Sequence, residues 1–385
     1  MLTLFCICAA VLLYVYFGYP LLLASGLLGR RKPLAESPLP ELPFLSIIVA
    51  ARNEESVIEE KLRNLLASDY PAENMEILVG SDGSSDRTDE IVGRFRNQGV
   101  GLLSFPEHIG KSAIQNGLVK LASGSILVFT DADCFFTPET LRLLVPHFSD
   151  PRIGLVTARP LYENERETAV TQNESLYLRY ESFLRREESN RGILAMASGS
   201  LFALRRSLWQ PLDPGHGDDF ALPLAVAAVG FRNVLDPRAV AVTRLEQKQP
   251  GAMRQLKSRI IAKDFRGLLS RAALLNPFRY GALAVGLWSH KLLRWLAPFF
   301  LIALFASNLF LLDRPVFRSA LFLQLAFYAL ALLGAALRNR SRFFLWSVPF
   351  SFCLVNFAAL LGTLQCFARR PAGQWTPVRR HSRAA

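Results

Sequence analysis

Two aspartates one residue apart, Asp131 and Asp133, close an apolar run over residues 126–130. Together they offer hard oxygen ligands to Mg2+ or Mn2+, and such an ion would gather phosphate oxygens. The same pattern also fits a solvated turn whose aspartate caps a helix starting near Pro138. A second acidic pair, Asp218 and Asp219, opens the apolar-periodic segment 221–229. Asp218 suits a helix cap. An adjacent carboxylate exceeds what a cap needs, and Asp219 can accept a proton from a sugar hydroxyl. Asp82 ends another apolar run, with Ser85 or Asp86 placed to cap the next helix. Lys111 comes directly after His108-Ile109-Gly110 at the start of a helical pattern, where it can meet a phosphate or stand on the surface. The spaced glycines of a Walker loop are missing. Between Arg244 and Arg271 stand eight Lys or Arg against two acids. They fit a helix face beside anionic lipid, at about 1 kcal/mol per basic residue. Alternatively one of them, Arg259, neutralises a diphosphate leaving group.

These residues need a frame that brings them to one edge. Strand signals over residues 45–50, 75–79, 100–105 and 126–130 alternate with helical spacing over 56–67, 86–95 and 111–121. That order predicts an α/β fold, a mostly parallel sheet with helices on both faces. In such sheets a ligand lies outside the carboxyl ends of the strands. The rule singles out Ala51-Arg52-Asn53-Glu54, Ser81-Asp82-Gly83-Ser84 and Asp131-Ala132-Asp133.

The whole chain has 385 residues, 51% hydrophobic and 20% charged, with mean hydropathy +0.23. Those values exclude a disordered chain, a collagen-like fibre and a coiled coil. They also call for membrane segments. Residues 2–28 carry no charge and exceed the ~20 residues needed to span a bilayer. Arg30, Arg31 and Lys32 come immediately after, which places the next segment in the cytoplasm. Three further spans are expected at 295–312, 319–337 and 343–368, with 280–294 lying in the interface. Four crossings put the C-terminus on the outer side. The positive-inside rule would instead keep Arg369, Arg370, Arg379, Arg380 and Arg383 inside. The net charge of +12 is spread beside apolar segments without an aromatic-interleaved motif, so no nucleic-acid partner is expected. The five cysteines show neither zinc-site nor disulfide-framework spacing.

The expected organisation is a transmembrane anchor (1–29), a Pro-rich linker (30–43), a cytoplasmic catalytic domain (44–272), an interfacial amphipathic segment (273–294), C-terminal transmembrane helices (295–368) and a basic tail (369–385).

Read in order, the motifs resemble those of family 2 glycosyltransferases. Residues 46–55 (SIIVAARNEE) are similar to that family's opening strand, and 77–88 (ILVGSDGSSDRT) to its next strand and turn. Residues 110–117 (GKSAIQNG) resemble its G-K helix, and 129–133 (FTDAD) its metal-binding strand end. Residues 198–206 (SGSLFALRR) resemble its acceptor-side strand, and Asp218-Asp219 its base motif. The resemblance covers residues 45–270. It implies a GT-A fold, a nucleotide-diphosphate sugar donor and inversion at the anomeric carbon. By matching position, Ala50, Arg52 and Glu54 would line the nucleotide pocket, with Lys111 and Arg259 also on the donor side. Asp82 would contact the base, and Asp131 the ribose or the metal. Asp133 would coordinate a Mg2+ or Mn2+ cofactor, Ser198, Gly199 and Asp218 would lie on the acceptor side, and Asp219 would be the general base. Arg52 replaces the family's tyrosine, Ser81 replaces its first turn acid, and Ile260 replaces the tryptophan of the processive Q-x-x-R-W motif.

The function this implies is transfer from a nucleotide sugar, with a UDP-sugar expected, to a glycan acceptor in envelope or exopolysaccharide synthesis, at the plasma (inner) membrane. The alternative is addition of a single sugar to a polyprenyl phosphate or glycolipid. A tethered nucleotide-sugar binder without turnover would not need Asp219.

Overall fold

The computed structural model describes residues 1–32, 41–162, 169–243, 250–337 and 343–367. Most of the Pro-rich linker, the loop 338–342 and the basic tail lie outside them. The described residues divide into two compact units.

One unit comprises the described residues of 41–161 and 196–243. Its strands are β1 (Leu45–Ala51), β2 (Met75–Asp82), β3 (Val100–Phe105), β4 (Ile126–Asp131), β5 (Cys134–Phe136), β6 (Ile153–Tyr162), β7 (Leu201–Arg205) and β8 (Arg232–Thr243). They form one sheet in the order β3-β2-β1-β4-β7-β6-β8-β5. The β3-β2-β1-β4 half is parallel, with Ala50 level with Gly80 and Asp131. Beyond β4 the sheet turns antiparallel, at β4–β7, β6–β7 and β5–β8. The parallel half is the half whose strands carry the simplest apolar runs. β1 is buried along its whole length, as a strand covered on both faces must be. Leu45, Ile47, Val49 and Ala51 pack into the layer with Ile58, Leu62 and Ile91. Ile48 and Ala50 pack into the opposite layer with Ile114, Leu118 and Leu222. This two-residue alternation is the strand period applied to two helical layers.

Helix Lys111–Leu121 comes very close to the sheet. A Cβ at Gly80 would collide with Ile114 Cγ2 and stand 3.1 Å from Leu118 Cδ1.

The other unit comprises the described residues of 1–32, 169–195, 250–337 and 343–367. Four helices there are long and apolar enough to cross a membrane: Leu2–Ser25, Ala282–Leu309, Pro315–Leu337 and Phe344–Phe367. Within the expected interfacial stretch, Pro277–Tyr280 is a short separate helix. Residues 282–294 continue without a break into Trp295, because a π turn at Leu287–Leu292 absorbs the polar residues within one continuous helix. A second π turn interrupts the first helix at Tyr14–Gly18. The polar groups near these turns are buried or half-buried, and they are paired. Tyr19 Oη donates to Glu188 Oε1 at 2.7 Å, and Tyr14 Oη lies 2.7 Å from Ser289 Oγ. His290 faces two carboxylates, with Nδ1 2.7 Å from Glu188 and Nε2 3.0 Å from Glu181, and Arg294 also pairs with Glu181. Helix Ala169–Arg191 is thus tied to two membrane helices through its glutamates.

Two outcomes are expected from this packing. Gly80→Ala should lower unfolding stability by about 1–3 kcal/mol, the usual cost of overpacking, measured by thermal unfolding in detergent. His290→Ala should cost about 3–5 kcal/mol, because two buried glutamates lose a shared partner. An unchanged Tm would show that the histidine merely fills space.

Candidate functional site

The site forms where three parallel strands end. At the end of β1 the chain turns through Arg52-Asn53-Glu54. Asn53 has φ 53°, a left-handed conformation that asparagine tolerates better than most residues. The turn is lashed to the one after β2. Asn53 N–H donates to Ser84 Oγ at 3.1 Å, and its Oδ1 accepts from Ser85 N–H at 2.8 Å. Glu54 N–H donates to Thr88 Oγ1 at 2.9 Å. Asp86 serves both segments, accepting Thr88 N–H at 3.0 Å and Glu55 N–H at 3.1 Å. Arg52 and Glu54 flank this clasp and are both half-buried. Ala50 directs its methyl into the core beside Ile114, so what it can present at the strand edge is backbone.

Asp82, expected at the nucleobase, is wholly buried. Its carboxylate accepts from Ile109 N–H at 2.7 Å and Gly110 N–H at 3.1 Å, and lies 2.6 Å from His108 Nδ1. These groups take up the carboxylate, so Asp82 anchors the loop that launches helix Lys111–Leu121 rather than standing open at the edge.

That helix carries the central contacts. Lys111 Nζ lies 2.8 Å from Asp131 Oδ1 and 3.1 Å from Asp218 Oδ2. Burial alone would lower its ammonium, but the carboxylates of Asp131 and Asp218 outweigh burial and raise it. One helical turn later, on the same face, Gln115 Nε2 donates to Asp218 Oδ2 at 2.7 Å. Burial pushes the Asp218 carboxyl up, yet Lys111 and Gln115 prevail and hold it below the usual carboxylate range. Asn116 grips Leu212, donating to its carbonyl at 2.9 Å and accepting its N–H at 2.8 Å. This fixes the segment that leads into helix Asp218–Ala228.

Neither acidic pair is used for capping. Gly217 is the N-cap of helix Asp218–Ala228, and no side chain caps it. Asp218, the expected cap, therefore lies one residue inside the helix, its Oδ2 engaged by Lys111 and Gln115. Likewise helix Thr140–Leu144 begins at Glu139 without a side-chain cap, so Asp131 and Asp133 do not serve it. Both are half-buried at the end of β4.

On the segment expected at the acceptor side, Ser198 N–H donates to Thr157 Oγ1 at 2.7 Å, and Ala197 N–H donates to the Asp219 carbonyl at 2.8 Å. Gly199 thereby lies under the Asp219 side chain. A Cβ at Gly199 would stand 3.4 Å from Asp219 Oδ2, so the bare glycine leaves room beside that carboxylate. Lys111 thus joins Asp131 and Asp218 directly, and Asp219, next in sequence, stands over Gly199. Arg259 belongs to the other compact unit, half-buried on helix Pro250–Ser270.

Two hard carboxylates fit Mg2+ or Mn2+, which commonly take one or two protein carboxylates and complete their shell with phosphate and water. No cluster of three or more metal-ligating side chains occurs among the described residues, so the donor's phosphates would have to supply the remaining ligands.

Sequence reasoning passed over Lys61. It lies on helix Ile58–Leu66 and is wholly buried. Its Nζ donates to Thr130 Oγ1 at 2.9 Å and to the Cys134 carbonyl at 2.6 Å. Burial lowers its ammonium to about 8, against the pull of Cys134, Asp131 and Asp133. The signal was available: Lys61 occupies the inward stripe defined by Ile58, Leu62 and Leu65.

The Lys111 bridge yields a pH test. Because the Asp218 carboxyl is depressed in the folded protein, its stabilising effect is complete above the unfolded value of about 3.9 and is lost as the pH falls through the lower folded value. Asp218→Asn should therefore reduce Tm at pH 7, and the gap to wild type should narrow as the pH falls below about 4. A gap independent of pH would show that packing, not charge, holds Asp218.

Comparison with known proteins adds an independent line. The family model for glycosyl transferase family 2 matches residues 46–211. A beta-monoglucosyldiacylglycerol synthase of Trichormus variabilis is 30% identical over 169 residues, covering 43% of this chain and 36% of the relative. A poly-beta-1,6-N-acetyl-D-glucosamine synthase of Staphylococcus aureus is 26% identical over 223 residues, covering 56% of this chain and 53% of the relative. The chain thus spans about a third to a half of the length of these relatives. Among solved structures, a mannosyltransferase from Pyrobaculum calidifontis in complex with GDP-Man and Mn2+ superimposes with TM-score 0.72 at 23% identity. The match covers 95% of this chain and 99% of that one. The likeness establishes a shared GT-A fold. Over residues 46–211, the chain is thus similar to glycosyl transferase family 2.

Proposed function

We propose that this protein is a membrane-bound inverting glycosyltransferase that moves a sugar from a nucleotide-diphosphate donor to a glycan or lipid-linked acceptor. The observation that carries the reading is the Lys111 bridge between Asp131 and Asp218, with Asp219 next in sequence and set over Gly199. It joins a strand-end carboxylate suited to the donor with a carboxylate suited to the acceptor. The four apolar helices support a multi-pass membrane location, with the catalytic unit on the cytoplasmic side.

The chemistry is built from these residues. Asp219 accepts the proton of the acceptor hydroxyl as that oxygen attacks C1 of the donor sugar. A single displacement inverts the centre, so no covalent enzyme intermediate is required. Arg52, Glu54 and the backbone at Ala50 line the nucleotide side, and Asp82 holds the loop that presents Lys111. Lys111 keeps a positive charge beside Asp131 where the leaving diphosphate gathers charge. A Mg2+ or Mn2+ ion held by Asp131 and Asp133 would supply further positive charge to that leaving group. Ser198, Gly199 and Asp218 shape the acceptor side.

A second reading is transfer of one sugar to a lipid. It is favoured by Ile260, an aliphatic residue where processive synthases carry an acceptor-stacking tryptophan. A relative named for glycolipid synthesis points the same way.

Purified protein in detergent, offered UDP- and GDP-sugars with Mn2+ and membrane lipid extract, should release nucleoside diphosphate with one donor. Asp219→Asn should slow release by about 10²-fold or more, and chelation should abolish it. Turnover by the variant at the wild-type rate would refute Asp219 as the base. Product size then decides between a polymer and a single addition.

A further inference from the structure

Lys61 is a rare arrangement, a lysine with no solvent exposure and no carboxylate among its hydrogen-bond partners. Burying a charge is costly unless every donor is placed. Here the ammonium finds three partners. One is Thr130 Oγ1, just before Asp131, and another is the carbonyl of Cys134, just after Asp133. The third is the face of Phe136, whose ring centre is 4.7 Å away. Thr130 passes the link onward, its hydroxyl donating to the Ser200 carbonyl at 2.9 Å. Asp131 N–H points at the same carbonyl from 3.4 Å. Lys61 therefore grips both ends of the three-residue turn Asp131-Ala132-Asp133 from below and ties it to the segment beside Gly199.

We propose that Lys61 is the positioning residue of the cation site: its two hydrogen bonds across the turn fix the spacing of the Asp131 and Asp133 carboxylates. The inference rests on the reading of those aspartates as metal ligands. It goes beyond that reading by naming the residue that sets their geometry. An apolar residue at position 61 would leave the Cys134 carbonyl to find another partner and the turn free to open. The positive charge works in the opposite sense, since it repels an incoming cation. The proposal holds that the geometric effect is the larger.

The test compares Lys61→Met and Lys61→Gln with wild type in Mn2+ titrations read by electron paramagnetic resonance, in the presence of UDP and, separately, GDP. No turnover is needed. Loss of a group that orients metal ligands typically costs about 10- to 100-fold in affinity. Lys61→Met should lose that much, and Lys61→Gln, which retains a donor for the Cys134 carbonyl, should lose less. Circular dichroism and Tm establish that each variant is folded. If Lys61→Met fails to fold, Thr130→Val removes the other arm and should weaken Mn2+ binding in the same direction. Unchanged affinity, or tighter binding in both Lys61 variants, would overturn the proposal and leave the metal-ligand reading standing. Wild-type protein that binds no Mn2+ with either nucleotide would overturn both.

Discussion

The ammonium of Lys111 holds two carboxylates that the chain delivers from opposite directions. Asp131 arrives at the end of parallel strand β4, and Asp218 arrives at the start of a helix that comes after the antiparallel strand β7. Without a cation between them, the buried Asp218 would carry a desolvation cost it could relieve only by taking up a proton. With it, Asp218 stays ionised, and Asp219 is carried into place by the helix that Asp218 begins. The rest of the unit serves this contact. Asp82 pins the loop before Lys111, Gly80 lets the helix lie against the sheet, and Asn116 fastens the segment leading to Asp218.

The change in sheet sense at β4–β7 gives this arrangement its location. Parallel strands bring their carboxyl ends to one edge, and the antiparallel partner starts from that same edge. The segment before β7 therefore lies beside the turn after β4, which is why Asp131 N–H and Thr130 Oγ1 both reach the Ser200 carbonyl. The turn after β4 and the segment before β7 become neighbours because one strand runs backwards.

In the membrane-helix unit, the same pairing of buried charge recurs in a drier setting. Glu181 and Glu188 are buried, and they are satisfied by His290, Arg294 and Tyr19. The π turns at Tyr14–Gly18 and Leu287–Leu292 widen the helices where these polar side chains must turn inward. Hydropathy alone divided residues 280–312 into an interfacial and a spanning part. The continuous helix pairs these polar residues with a neighbouring helix.

Sequence by itself determined the α/β alternation, the parallel strands, the long apolar helices and the three strand ends that line one edge of the sheet. Those come from local periodicity, because a two-residue or 3.6-residue repeat already states which face is buried. The motif order marked Asp131, Asp133, Lys111, Asp218 and Asp219 as belonging together. Only the tertiary structure decided what each does to its neighbours. Asp82 is drawn inward because His108, Ile109 and Gly110 fold over it, and Asp218 leaves the cap position to Gly217 while Lys111 and Gln115 both engage its Oδ2. Lys61 sat in plain view on an apolar stripe, but its partners lie about 70 residues further along the chain. Side-chain periodicity reports which face of a helix is buried. It carries no record of which distant carbonyl will be waiting there.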